Sequence, residues 1–357
     1  MVWLTAVSLG AHAQTPAQDA AARLNRISAD LFTATPHLQD DVRELKEILA
    51  ADTGNAQAHM LLGIAYRGLA SPELLSEAVA ELRQAITLNP GYLPARLYLA
   101  YIYLDIGRPQ RAKEELEAAL ERSLGNPQLL ALEGEAERQL KNPQRALELI
   151  EQSLKIDPSS AEAHYYRGLA LFDLGKRPEA IKELEEVVAT GQATPDAYLS
   201  LGTLYLDAGR IGDGVKTLAR GTTIDPSRAD LHIQLARAYR SAGQLDTAAE
   251  QLRLARPKPG APLAPSEFRQ QQLEFDFALE QGALDLQRGQ IASAIASLKK
   301  ALTMDPASGP ANQYLARIYL RQRSYASAAQ YALRAEKAGA PLSPDERKQL
   351  QDGLRKK

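Results

Sequence analysis

The sequence predicts an all-α fold, a solenoid in which antiparallel helix pairs pack one against the next. Three observations predict it: small residues recur at a fixed spacing, glycine turns and proline turns delimit the helices of many repeats, and alanine and leucine dominate while β-branched residues are sparse. A chain of 357 residues is too long for one ordinary hydrophobic core, whereas an array of repeats needs no single centre.

The repeat period is visible in the glycines. Gly134, Gly168 and Gly202 are 34 residues apart, and repeats that start at positions 93, 127, 161, 195 and 229 keep this spacing without a gap. The eighth and twentieth positions of each repeat hold glycine or alanine, which lets two helices cross at close range. We expect larger residues at the twenty-fourth position to fill the space between successive pairs, namely Leu184, Leu218, Leu252 and Leu298.

Turn residues delimit the two helices of each repeat. Glycines suited to the left-handed conformation follow the first helix, at Gly107, Gly175, Gly209, Gly243 and Gly289. Prolines follow the second helix, at Pro90, Pro158, Pro226 and Pro306. Because proline cannot continue the preceding helix comfortably, the chain turns there, and helix, glycine turn, helix and proline turn form one unit.

This pattern resembles the tetratricopeptide repeat family, whose period and small residues are present in eight units over residues 56–340. The family's closing proline is present as well, except where Leu124-Gly125-Asn126 and Thr190-Gly191-Gln192 form the turn. The resemblance implies a right-handed superhelical solenoid whose first helices line a concave, polypeptide-binding face. His59, His164 and His232 stand at the fourth position, where the family has a large aromatic residue, and Tyr198 stands there too. We expect these replacements to loosen the layers, and the histidines lie too far apart along the array to share a metal.

The organisation of the chain follows from this register. A proline-rich stretch at 257–265 interrupts the array, and a polar segment after 340 is expected to cap the last apolar face. We predict a signal-peptide-like segment (1–13), a degenerate N-terminal repeat (14–55) and repeat units one to six (56–260). These are followed by a proline-rich linker with the start of a long helix (261–274), units seven and eight (275–340) and a capping helix (341–357).

The first residues resemble part of an export signal. The stretch 2–11 is apolar and Ala11-His12-Ala13 fits the small-x-small cleavage pattern, although no lysine or arginine precedes it. We expect export, to a bacterial periplasm, with a cytoplasmic location as the alternative. No other apolar run reaches the roughly 18 residues of a transmembrane helix. The absence of cysteine excludes disulfides and thiolate catalysis.

Charge is unevenly distributed along the chain. The formal net charge is -2, which argues against a general polyanion binder, so no nucleic-acid partner is expected. From Arg288 to Lys357, however, there are 13 lysines and arginines against 5 aspartates and glutamates. This basic end is either a solvated cap or a surface that meets an acidic partner or an anionic surface.

The resemblance implies that residues one or two turns apart on the first helices face the concave side. These positions hold tyrosines in the middle of the array and arginines towards its end, residue types that dominate binding hot spots. We expect about half of the aromatic residues, Tyr103 and Tyr205 in particular, to belong to the core. The candidate partner-binding residues are Tyr98, Tyr101, Asp105, Glu135, Arg138, Tyr165, Tyr166, Leu169, Phe172, Arg237, Arg240, Arg317 and Arg321.

No catalytic motif is present: the sequence lacks a phosphate-binding glycine loop, a nucleophile elbow and an HExxH helix. The carboxylate clamp of some family members is absent too, because its positions hold Met60, Ile64, Tyr98, Gln128 and Leu132. The sequence therefore predicts a non-catalytic scaffold that binds a protein or peptide and needs no cofactor or metal. The alternative is an accessory subunit that positions substrate for a separate catalytic subunit. Oligomeric state is not predicted.

Overall fold

The computed structural model describes residues 16–33, 36–69, 71–191, 193–256 and 267–355. Within these residues it contains 19 helices and no strand, as the sequence predicts. None of the described helices is long and apolar enough to span a bilayer. The chain divides into two compact units, Met1–Ile102 and Tyr103–Lys357, which are described separately below. The signal-like segment 1–13 and the proline-rich stretch 257–265 lie outside the described residues.

The first unit contains a leading helix pair, a second pair, and most of a fifth helix. Its helices are α1 (Pro16–Asp30), α2 (Leu38–Ala51), α3 (Ala56–Gly68), α4 (Pro72–Leu88) and α5 (Leu93–Asp105), the last of which crosses the unit boundary. α1 and α2 lie within residues 14–55, the range predicted for the degenerate N-terminal repeat.

The second unit continues the alternation of first and second helices and ends in one more helix. Its helices are α6 (Pro109–Leu120), α7 (Pro127–Gln139), α8 (Pro143–Ile156), α9 (Ala161–Asp173), α10 (Arg177–Ala189), α11 (Pro195–Asp207), α12 (Ile211–Ile224), α13 (Ala229–Ser241), α14 (Leu245–Ala255), α15 (Glu267–Gln287), α16 (Ile291–Met304), α17 (Gly309–Arg321), α18 (Tyr325–Lys337) and α19 (Pro344–Arg355). α19 occupies the place predicted for the capping helix, and its Leu350 is buried.

The small residues lie at the crossing of each helix pair, as predicted. A Cβ atom added to Gly202 would lie 2.5 Å from Cγ of Leu218, and one added to Gly134 would lie 2.6 Å from Cγ1 of Ile150. The residue at the twenty-fourth position therefore packs against the first helix of its own pair, which was not expected. It also packs between successive pairs, as expected, because Leu218 shares a core cluster with Leu231 of the next first helix.

Each first helix in the second unit ends in a left-handed residue. The predicted glycines have positive φ, for example Gly209 at 73°, but Lys141 (68°) and Arg323 (59°) take the same role in two units. The amide after this residue donates to the carbonyl five residues back, as from Arg210 to Tyr205 at 2.8 Å. This closes the helix end and starts the second helix at a defined angle.

The fourth-position histidines are held by hydrogen bonds within their repeats. Nε2 of His232 donates to the Pro226 carbonyl at 3.1 Å, and its Nδ1 lies 2.8 Å from Oε1 of Gln251 on the second helix. His59 has the equivalent contacts, with the Thr53 carbonyl at 3.1 Å and with Glu81. The imidazole thus ties the preceding turn to both helices of the pair.

Candidate functional site

The first helices of the second unit form its inner face. α7 lies against α9, α11 against α13, α13 against α15 and α15 against α17, whereas no two successive second helices of the described chain approach each other as closely. The unit is therefore narrower on the side of the first helices. We call the solvent-facing side of the first helices the inner face and that of the second helices the outer face.

An aromatic patch lies on the inner face at α9 and consists of Tyr165, Tyr166, Leu169 and Phe172. All four side chains are half-buried. The rings of Tyr165 and Tyr166 are 5.6 Å apart and tilted by 47°, a favourable arrangement for neighbouring aromatic residues. The structure therefore brings together the four residues that the sequence analysis placed here.

The core holds one side of each ring in this patch. Tyr166 packs against the buried cluster around Ile150, and Tyr165 and Phe172 pack against the cluster around Leu184. The Tyr165 hydroxyl lies 3.4 Å from Oγ of Ser200, and burial raises the pKa of Tyr165 to about 12. The patch is therefore anchored to the core on one side, and Tyr165 is neutral at physiological pH.

Two other tyrosines belong to the core, as predicted. Tyr103 is 2% exposed and Tyr205 is 6% exposed. The Tyr205 hydroxyl donates to Glu185 at 2.6 Å, and Arg210 stands 4.2 Å from its ring centroid. Burial, together with the bond to Glu185, raises the pKa of Tyr205 to about 12. These rings stabilise the packing of neighbouring pairs and do not form part of the inner face.

Next to the aromatic patch, charges on the inner face neutralise one another. Arg138 donates to Glu135 on its own helix at 2.7 Å and to Asp173 on α9 at 2.8 Å. Glu135 is 5% exposed, so the pair is largely removed from water. Burial opposes the charged guanidinium, but the bonds to the two carboxylates prevail and raise the pKa of Arg138. The cluster cross-links α7 to α9.

The arginines of α13 are also bonded within the chain. Arg237 reaches Asp207 of α11 at 3.0 Å, and Arg240 reaches Glu280 of α15 at 2.5 Å. The side chains of Arg240 and Glu280 are 11% and 8% exposed. The first helices of three successive pairs are thus linked by ion pairs. The guanidinium groups of Arg237 and Arg240 are therefore already paired with carboxylates of neighbouring first helices.

The last two candidate arginines differ from each other. Arg317 pairs with Glu346 of α19 at 3.0 Å, which attaches the capping helix to α17. Arg321 is exposed and forms no ion pair with any described residue. Of the five candidate arginines, Arg138, Arg237, Arg240 and Arg317 form ion pairs within the chain, and Arg321 forms none with a described residue.

The first unit has an aromatic cluster of its own. The rings of Tyr98 and Tyr101 are 6.1 Å apart, and the guanidinium of Arg67 lies 5.4 Å from the centroid of the Tyr101 ring. Phe32, in the turn after α1, lies 6.3 Å from Tyr98 and is 62% exposed. Asp105, the remaining candidate on α5, belongs to the second unit and is half-buried.

Several of these residues were missed by sequence reasoning. Asp173 and Asp207 occupy the thirteenth position of their units, as Asp105 does, so a recurring acidic position was visible in the sequence. Glu280 and Phe32 gave no such signal, because their roles depend on residues 40 and 66 positions away. Met60, Ile64 and Leu132, considered above as clamp positions, are buried core residues. Among the described residues, no group of potential metal ligands occurs.

Comparison with known proteins supports the repeat assignment. Two family models described as tetratricopeptide repeat match the chain, one at residues 73–136 and 285–341 and the other at 131–198 and 199–262. Together they cover more than half of the sequence. No curated protein matches.

Two solved structures have a similar fold. A chain in the crystal structure of the APC/C hetero-tetramer Cut9–Hcn1 gives a TM-score of 0.74 at 14% identity. The match covers 93% of the present protein and 63% of the Cut9–Hcn1 chain. A tetratricopeptide repeat protein from Parabacteroides merdae gives 0.53 at 15% identity, over 73% of this chain and 99% of the other. At these identities the likeness shows the fold alone. From the matching family models, the chain belongs to the tetratricopeptide repeat family.

Proposed function

We propose that this chain is a non-catalytic scaffold that binds a segment of a partner polypeptide on the inner face of its second unit. The observation that carries the proposal is the aromatic patch on α9, where four apolar or amphipathic side chains stand half-buried between neighbouring first helices. Rigid tyrosines lose little conformational entropy on binding and offer both apolar surface and a hydroxyl.

The charges around the patch indicate the chemistry of the partner. Arg138, Glu135 and Asp173 neutralise one another, and Arg237 and Asp207 do the same. Because a partner gains little by competing with such pairs, the segment that binds here carries apolar or aromatic side chains, in an extended or helical form.

Export is part of the same proposal. The apolar stretch 2–11 and the Ala11-His12-Ala13 pattern support a role in an envelope or secreted assembly. A mature protein cleaved after Ala13 loses Trp3, the single tryptophan, so tryptophan emission from the exported species would contradict that cleavage.

Site-specific photo-crosslinking in the native host tests the binding face. We expect benzoylphenylalanine at Leu169 to crosslink a discrete partner, and the same probe at Gln152, exposed on the outer face of α8, to leave that partner uncaptured. The variant Tyr165→Ala with Tyr166→Ala should then lose the crosslink from Leu169.

The fold of this variant has to be checked, because both rings also contact core clusters. Circular dichroism and urea denaturation measure whether the variant is folded. Undiminished capture by a folded Tyr165→Ala/Tyr166→Ala variant, or equal capture from Leu169 and Gln152, would show that the inner face at α9 is not the binding surface.

A further inference from the structure

The outer face of the second unit differs from helix to helix. In α6, α8, α10 and α14 it carries ion pairs within one helix, namely Arg111–Glu114, Arg145–Glu148, Lys182–Glu186 and Arg253–Glu250. In α12, α16 and α18 its cations have no carboxylate partner among the described residues. These exposed cations are Lys216, Arg220, Lys299, Lys300, Arg334 and Lys337.

The cations of α16 and α18 lie in matching positions. The buried side of α16 is marked by Ala294, Leu298 and Ala301, so Lys299 and Lys300, which follow Leu298 by 100° and 200°, flank the opposite side. Lys300 and Arg334 both occupy the twenty-sixth position of their units. α16 contains no acidic residue, so nothing on this helix offsets its two lysines.

An exposed leucine lies among these cations. Leu333 is 54% exposed, and it adjoins Arg334 and lies one helical turn from Lys337. On α18, Arg334 lies 5.7 Å from the ring of Tyr331, which supports its stem and leaves its charge without a counter-ion. The surface therefore combines four cations on long flexible stems with an apolar side chain, against one exposed carboxylate on these two helices, Glu336. We call Lys299, Lys300, Leu333, Arg334 and Lys337 the cationic face.

The layout of the cationic face favours a broad anionic surface over a protein partner. Its charges spread over two helices and do not converge on a pocket, as recognition of one acidic side chain would require. Glu114, Glu148 and Glu186 on the outer face are already paired within their helices and so are less available to the cations of a second copy. Lipid headgroups supply many phosphates at once, and the acyl boundary accepts a leucine.

We propose that the cationic face docks onto an anionic phospholipid surface, with its lysines and arginine at the headgroup phosphates and Leu333 at the acyl boundary. This role is independent of partner binding at the inner face, which lies on the other helices of the same pairs. On this proposal, the excess of positive charge at the C-terminal end serves the cationic face, a surface that the sequence alone did not locate.

Vesicle co-sedimentation of the full chain tests the proposal. We expect binding to vesicles that contain phosphatidylglycerol, weakening as salt is added, and no binding to phosphatidylcholine alone. The fourfold variant Lys299→Gln, Lys300→Gln, Arg334→Gln and Lys337→Gln should lower the partition coefficient by roughly several hundredfold, since each cation near such a surface contributes a factor of about five.

A matched variant separates location from total charge. Arg122→Gln, Lys155→Gln, Lys176→Gln and Lys182→Gln remove the same charge from exposed positions elsewhere in the second unit, and should leave vesicle binding within a few-fold of the original. Equal losses in both folded variants, or undiminished binding by the first, would overturn the proposal. Binding to soluble polyglutamate without binding to the vesicles would assign the face to an acidic protein instead.

Discussion

The crossing of α11 and α12 offers a direct test of how the small residues act. Gly202 is buried there, and a Cβ atom in its place would lie 2.5 Å from Cγ and 2.7 Å from Cδ2 of Leu218. Leu218 is fully buried and shares a cluster with Leu231 and Leu235, so it has little room to move away. Gly202→Ala therefore forces the two helices apart or Leu218 out of its rotamer.

Two effects of opposite sign decide the magnitude. Alanine is the better helix former by about 1 kcal/mol. Overpacking of a filled core costs about 1–3 kcal/mol. Gly202→Ala should therefore be destabilising or at best neutral. Leu218→Ala alone should cost about 2–5 kcal/mol, because it leaves a cavity. In that background the clash is gone, so adding Gly202→Ala should stabilise the protein.

Urea denaturation followed by circular dichroism measures this double-mutant cycle. The prediction is a reversal of sign, with an interaction energy of about 1–3 kcal/mol between positions 202 and 218. Gly212→Ala, on α12 with no atom within 4 Å of the added Cβ, is the control and should stabilise by up to about 1 kcal/mol. If Gly202→Ala stabilises equally with and without Leu218, close crossing does not explain the glycine.

Two further perturbations test the backbone and a buried carboxylate. Lys141 has φ 68°, a conformation that costs a side-chain-bearing residue about 1 kcal/mol, so Lys141→Gly should raise the urea midpoint. The reverse change Gly175→Lys, where no atom lies within 4 Å of the Cβ, should lower it, and equal shifts of the same sign would contradict this. Burial raises the pKa of Asp41 to about 6, so its stabilising protonated form is lost as pH rises from about 4 to 6. At pH 7 the free energy of unfolding of Asp41→Asn should therefore exceed that of the original protein by about 1–3 kcal/mol, and below about pH 4 the two should be equal. A difference that does not depend on pH would refute the assignment.

Much of the fold was predictable because the repeat is a local pattern. The glycines that follow first helices, the prolines that follow second helices and the small residues at the crossings act within one unit and lie where the register predicts. The exceptions are instructive. Lys141 and Arg323 adopt the left-handed conformation without being glycine, because the hydrogen bonds that close the helix end impose it.

The candidate site was predictable only in part. Tyr165, Tyr166, Leu169 and Phe172 do lie together, since all four share one face of a single helix. The arginines were identified by position but not by their partners: Arg240 contacts Glu280, 40 residues later, across an interruption in the repeat. No spacing rule relates two such residues.

For this protein, then, the amino-acid sequence alone determines the helix pairs, their turns and the residues at each crossing, because these depend on backbone preferences and side-chain volume within one repeat. Which charges remain available was decided only by the tertiary structure. Packing of successive pairs neutralises Arg138, Arg237 and Arg240 on the inner face and leaves the cations of α16 and α18 without carboxylate partners among the described residues. Ion pairing depends on distances between repeats, which a linear sequence does not contain.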